Sequence, residues 1–445
     1  MKKATLVMAA AALAAIGMAP RADAGEVKLG GLYQFRGQTA DSTVDQNAAT
    51  DDNEEQYLHR LQLNWDFNAS KKTHAHAVLR LLDSATVTGV NGNASATLGT
   101  AQNNLKQAWL ETEAWGVGAK AGYMPIALND SILVGYDTTG YGALMLSKTF
   151  GDVTGVLAHV KVAEGNVGDT GTAAAEANQD DDDQDLYVLS LLGKASTVNY
   201  QVTGAYWDSA TGAAGADPAG ATGNGTLTTA GDTDNFWLAG TLNTALSGID
   251  LTGTLIWESG WDGYTADSQE EEGDFLAALR AKGKTGFGGW NGYVFYSGED
   301  FNNIVGTNAK WSPTWDMGGP GARDLMNNFA LGRTANTAVT NNNAASNTEN
   351  MWGIGAGLEV PAGIWTVKPH LDYAAVVEDF VGDATKNGII DYDTAWGGSL
   401  ILSTNIDTDT ELNISGHYVD PDNTTTAPTV ADQMHYVQAS VAMKF

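Results

Sequence analysis

Along most of this chain hydrophobic and polar residues alternate one by one. In the stretch 56–67, Tyr57, His59, Leu61, Leu63, Trp65 and Phe67 take the odd positions, with Leu58, Arg60, Gln62, Asn64 and Asp66 between them. Successive side chains of a strand point to opposite faces, so this pattern predicts a strand with one apolar and one polar face. Val27, Leu29, Tyr33 and Phe35 against Lys28, Gln34 and Arg36 repeat it. The C-terminus does the same, with Val437, Ala439, Val441, Met443 and Phe445 against Gln438, Ser440 and Lys444. Further strands are expected near 74–83, 104–113, 116–124, 141–149, 153–163, 185–194, 197–207, 234–243, 249–259, 273–283, 288–297, 350–360, 363–375, 393–403, 408–420 and 432–445. With 27–36 and 56–67 these make eighteen, or sixteen if the pair around 104–124 fails.

The connections alternate in length. One set is short: 68–73, 114–115, 151–152, 195–196, 244–248, 284–287, 361–362 and 404–407. The other is long and polar: 38–55, 84–103, 125–140, 164–184, 208–233, 260–272, 298–349, 376–392 and 421–431. A soluble sandwich has no physical reason to keep every tight turn at one end. An antiparallel, up-and-down transmembrane β-barrel has one, with short turns on the periplasmic side and long loops outside. Ten residues at ~3.3 Å each, tilted about 40°, span roughly the 25 Å apolar band of such a barrel. Tyr33, Phe35, Tyr57, Trp65, Phe67, Tyr123, Trp257 and Phe445 fall close to strand ends, where aromatic girdles lie.

The first residues read as an address. Lys2 and Lys3 precede an apolar run over 4–18, and Ala22-Asp23-Ala24 has the small-x-small form of a signal-peptidase site. Residues 1–24 are therefore expected to be a cleaved signal peptide and 25–445 a single barrel. The chain holds 53 acidic and 23 basic residues for a net charge of −30, which becomes −32 once 1–24 are removed. Such a surface repels phosphate backbones and excludes nucleic acid as a partner. There is no cysteine, so disulfides, thiolate chemistry and a lipoprotein anchor are excluded.

A cleaved signal, alternating strands, alternating loop lengths and the terminal Phe445 together resemble a Gram-negative outer-membrane porin. Within 57–146, Leu58-His59-Arg60-Leu61 and the run from Gly122-Tyr123-Met124-Pro125 to Asp130 also resemble the alginate-export type of eighteen-stranded porin. The resemblance implies a passive channel in the outer membrane, contacting lipid and lipopolysaccharide. General porins imply a homotrimer and the alginate-export type a monomer. The small outward residues Ala75, Ala77, Ala277 and Ala281 would permit close packing of barrels, and a homotrimer is expected.

Parity selects the pore-facing side chains. A lipid-facing Arg or Lys at mid-membrane costs about 2–4 kcal/mol. Arg36, Arg60 and Arg80, on three consecutive strands, are thus expected inside, with His74, His76, Lys120 and Arg280. Arg36 is expected close to the outer rim. The third long loop, 125–140, supplies Asp130 and Asp137. Arginines of β-strands facing acids of this loop resemble the arginine ladder of general porins, which implies a constriction with Arg36, Arg60 and Arg80 opposite Asp130 and Asp137.

Acids concentrate in the long loops, including Asp180, Asp181, Asp182 and Asp183, which are also a conceivable calcium site. Without the spaced loop of dedicated calcium sites, a solvated acidic surface is the plainer reading. His74 and His76 lack an obvious third metal ligand, so no metal or cofactor is expected, and no catalytic motif is found. The leading expectation is passive diffusion of ions and small hydrophilic solutes, favouring cations through the acidic mouth. The alternatives are a substrate-selective channel for a sugar, oligosaccharide or organic acid, and a non-conducting surface barrel or adhesin.

Overall fold

In the computed structural model the described residues are 25–41, 54–89, 94–95, 105–130, 132–163, 184–209, 233–259, 273–298, 301, 351–376, 394–422 and 434–445. Residues 1–24, and most of the acidic loops, lie outside them. Eighteen strands follow one another. They are β1 (Glu26–Asp41), β2 (Glu54–Ser70), β3 (Thr73–Gly89), β4 (Leu105–Ala114), β5 (Val117–Leu128) and β6 (Val134–Phe150). Next come β7 (Val153–Ala163), β8 (Gln184–Ala195), β9 (Val198–Ser209), β10 (Thr233–Leu246), β11 (Ile249–Glu258) and β12 (Phe275–Thr285). The last are β13 (Gly288–Ser297), β14 (Met351–Ala362), β15 (Trp365–Val376), β16 (Thr394–Asn405), β17 (Thr410–Asp422) and β18 (Met434–Lys444). A two-residue bridge, Ala94–Ser95, pairs with the upper part of β3.

Each strand pairs antiparallel with its neighbours in sequence, and β1 pairs with both β2 and β18, so the sheet closes on itself. Closure removes the two edges that an open sheet would expose. The seam is tied at its end by Phe445, whose backbone exchanges hydrogen bonds with Gly31 at 2.7 and 3.2 Å. A side chain at Gly31 would run into the Phe445 ring. The short connections are tight. Trp115-Gly116 and Ser247-Gly248 have both central residues at positive φ, the hairpin geometry whose twist matches that of the strands.

Alternation sorts the two faces as expected. Leu189, Leu255, Leu279, Ile354 and Leu400 point outward and are exposed, forming the surface a bilayer would cover. Near the long-connection end, outward aromatics stand side by side: Tyr187 with Tyr206, Phe275 with Tyr296, Trp352 with Tyr373 and Trp396 with Tyr418, at 5.3 to 6.4 Å between ring centres. The four alanines read as one packing surface divide into two patches. Ala75 and Ala77 are on β3 while Ala277 and Ala281 are on β12, halfway round the barrel.

The strand count of eighteen holds, and the pair around 104–124 is present as β4 and β5. Four strand ends differ most from expectation. β1 continues to Asp41 and β3 to Gly89, because polar residues that look loop-like in sequence are paired in the ladder. Arg36 therefore lies well inside the barrel, not at its rim. The third long loop shrinks from 125–140 to 129–133, since β5 runs on to Leu128 and β6 begins at Val134. Pro125, which has no N–H to donate, marks the register break: Met124 pairs with Tyr141 and Ile126 with Tyr136.

Candidate functional site: a clasp across the lumen

Beyond the break at Pro125 the β5–β6 hairpin turns into the barrel. Met124, Ile126, Leu128, Ile132, Leu133 and Val134 are all buried, Met124 and Leu133 completely. They pack against inward side chains of the strands that follow, among them Val160, Val188, Trp207, Trp237, Ile256 and Leu276. The inner wall from β7 to β13 thus has an apolar zone, where a water-filled lumen would leave polar side chains. Each buried aliphatic contributes about 1.5–3 kcal/mol relative to exposure, so the hairpin is held inward by the hydrophobic effect.

Its tip makes polar contacts that fix where it lands. Asn129 and Asp130 both have positive φ, 51° and 60°, a conformation that Asn and Asp tolerate better than other side chains. Buried Asn129 donates from Nδ2 to Thr241 Oγ1 at 3.2 Å, and its N–H lies 3.4 Å from Gln201 Oε1. Thr241 bonds Thr254 at 3.0 Å, and Gln201 Nε2 donates to Ser190 Oγ at 3.1 Å. Arg280 Nη2 sits 2.7 and 2.6 Å from the two oxygens of Asp130. The tip of β5–β6 therefore reaches side chains on β9, β10 and β12, near the middle of those strands.

Arg280 is next to Tyr293 in the β12–β13 register, and Tyr293 opens a second polar network. Its hydroxyl donates to Asp372 Oδ1 at 2.5 Å, and His370 Nε2 lies 2.8 Å from the same oxygen. Tyr293 is on β13 and Asp372 on β15, with β14 between them. They meet because β14 turns Gly353, Gly355 and Gly357 inward. A side chain at Gly355 would strike both Tyr293 and Asp372, and one at Gly357 would strike His370. In the next row down, His370, Ser399 and His417 are direct cross-strand neighbours on β15, β16 and β17. His417 Nε2 lies 3.1 Å from Ser415 Oγ.

The expected site residues fall as follows. Arg36 is fully buried on β1, Arg80 is buried on β3, and Arg60 is half-buried on β2. All three share the inward parity. His74 Nδ1 is 2.7 Å from Asn68 Oδ1, and His76 Nδ1 is 2.6 Å from Asp66 Oδ1. Lys120 places its ammonium 3.8 Å from the centre of the Trp109 ring, with which His76 also stacks at 5.2 Å. Asp130 takes its ion pair from Arg280 on β12, not from the arginines of β1–β3 that were expected opposite it. The physical reason is the hydrophobic packing of the hairpin, which aims the tip at the β9–β12 wall. Asp137 lies on β6 in the register gap opposite Pro125, and its side chain is outside the described residues, as are Asp180, Asp181, Asp182 and Asp183. Among the described residues no group of acids and histidines is placed to hold a metal.

Sequence reasoning did not single out Asn129, Tyr293, Asp372 or Ser399. Two signals for them were present. Asn129-Asp130 between apolar runs is a turn-forming pair, since both residues tolerate the left-handed conformation. Gly353, Gly355 and Gly357 at alternate positions mark a strand face where neighbours close over the backbone.

Solved structures place this architecture. The chain is similar to OccK2 (OpdF) of Pseudomonas aeruginosa, with a TM-score of 0.53 and 9% identity over 94% of this chain and 98% of that one. OccK5 (OpdH) of the same organism gives 0.51 and 10%, covering 94% and 98%. OprD, also from Pseudomonas aeruginosa, gives 0.51 and 8%, covering 94% and 95%. At such identity the likeness is one of fold, and the chain has the eighteen-stranded barrel fold of the outer-membrane porins. No family model and no curated protein matches the sequence.

Proposed function

We propose that this chain is a passive channel of the Gram-negative outer membrane that selects small polar solutes bearing a carboxylate. The observation that carries the reading is the β5–β6 tip clasped across the lumen through Asp130 and Arg280. A barrel of this size left open would pass hydrophilic solutes with little discrimination. A tip bound to the far wall brings every passing solute close to side chains, where charge and hydrogen bonding discriminate.

The solute class is read from the arc formed by β1, β2 and β3. Arg36, Arg60 and Arg80 project inward from three adjacent strands, a strip of guanidinium groups whose fork matches a carboxylate. One fold neighbour, OccK2 (OpdF), has been crystallised in complex with glucuronate, which supports the same class. The cation preference expected from the acidic loops is not carried forward: those acids lie almost wholly outside the described residues, and the arginine strip lies deeper in the path. Homotrimeric assembly stays a separate proposal, since the alanines that suggested it do not form one patch.

Planar-bilayer recording of the refolded mature protein tests this. Conductance steps that glucuronate reduces saturably, with glucose much less effective, are the expected result. Ohmic conductance unaffected by either solute would favour unselective diffusion. No conductance from a verified folded barrel would favour a structural surface protein.

A further inference from the structure

The arc from β13 to β17 is more elaborate than narrowing a pore requires. Tyr293, His370, Asp372, Ser399, Ser415 and His417 all face inward and each is at least nine-tenths buried. The Asp372 carboxylate is occupied from two sides, by the Tyr293 hydroxyl and by His370 Nε2. Ser399 is different. Its hydroxyl is buried without a hydrogen-bond partner, and a buried polar atom left unmatched costs about 1–3 kcal/mol. The register sets it directly between the two imidazoles.

We propose that Ser399, flanked by His370 and His417, is a hydroxyl-reading subsite of the constriction, so that the preferred solute is a hydroxylated acid. The unmatched Ser399 hydroxyl suits an alcohol group, which both gives and takes a hydrogen bond, and the two imidazoles flank it in the register. Among the strand residues of this arc the one lysine or arginine is Lys368, two residues below His370 on the inward parity. Three guanidinium forks outweigh that single ammonium for a carboxylate, so the carboxylate goes to the arginine strip, reached from β17 across β18, while the hydroxyls are read here. The inference rests on the carboxylate-selective reading above and adds the second half of the solute.

Current block in planar bilayers by three probes of one ring size separates the two. Glucuronate carries both groups, cyclohexanecarboxylate only the carboxylate and glucose only the hydroxyls. Glucuronate is expected to block at the lowest concentration. Ser399→Ala is expected to raise its half-blocking concentration about three- to tenfold, the size of one hydrogen bond, while cyclohexanecarboxylate block stays within about twofold. His417→Gln, which keeps a polar side chain of similar reach, gives a second variant with the same expected direction. Equal block by glucuronate and cyclohexanecarboxylate in the wild type would overturn the subsite and leave the carboxylate reading standing. Glucose blocking as well as glucuronate would overturn the carboxylate reading. Both variants keeping the full glucuronate advantage would overturn the assignment to Ser399 and His417.

Discussion

At the scale of single residues, the ion pair of Asp130 with Arg280 joins two charges that lie 150 positions apart in sequence. Both side chains are about one-quarter to one-fifth exposed, so neither is fully screened by water. Removing one partner leaves the other as a charge at the narrowed level of the lumen. Asp130→Asn is expected to shift the reversal potential in a salt gradient toward anions and Arg280→Gln toward cations. The anion-to-cation permeability ratio should move about two- to fivefold in each case, and less at high salt. Shifts of the same sign in both variants would mean that the pair does not face the ion path. Arg280 was legible as an inward residue because an outward arginine is costly. Its partner was not legible, since parity gives the face of a side chain and never the residue across the lumen.

At the scale of elements, the β5–β6 hairpin separates this barrel from an open ring of strands. Met124, Ile126 and Leu128 of its upper half are buried, and Leu133 at the tip is wholly enclosed. Leu133→Ala leaves a cavity there, and such truncations cost about 2–5 kcal/mol. That is enough to loosen a hairpin whose inward position depends on a handful of aliphatic contacts. The expected outcome is a higher mean single-channel conductance with added flicker, the barrel itself folding as before by its electrophoretic shift on heating. Unchanged conductance would show that the polar contacts of Asn129 and Asp130 hold the tip alone. The sequence marked this segment as a long polar loop because Pro125, Asn129, Asp130 and Gly135 read as loop punctuation. The apolar residues between them, Ile126, Leu128, Ile132 and Leu133, were the contrary signal. They find their partners only inside the closed barrel.

At the scale of the whole molecule, stability depends on two apolar surfaces, the outer belt and the packing within the lumen. The belt is the simpler of the two, because lipid replaces a protein core. Leu255, on β11 and exposed outward, belongs to it. Leu255→Lys is expected to cost about 2–4 kcal/mol near the bilayer midplane, read as a lower urea midpoint for folding into phospholipid vesicles. A neutral effect would place that position in water and would contradict the membrane reading of the outer face. The strand number and the inward or outward sense of most positions were available beforehand, since a period of two is local and repeats in every strand. The closed order of strands, with β1 between β2 and β18, was inferred from alternating loop lengths and is met in the structure.

The sequence by itself determined the barrel: eighteen alternating segments, tight turns at one end and an inner and an outer face for each strand. These are properties of neighbouring residues along the chain, set by the pleat and by the cost of placing charge in lipid. Only the tertiary structure decided what crosses the lumen. The inward fold of the β5–β6 tip, the union of Asp130 with Arg280, and the meeting of Tyr293 with Asp372 over Gly355 all join strands that are not adjacent. Such contacts depend on the curvature and closure of the complete sheet, which no local pattern encodes.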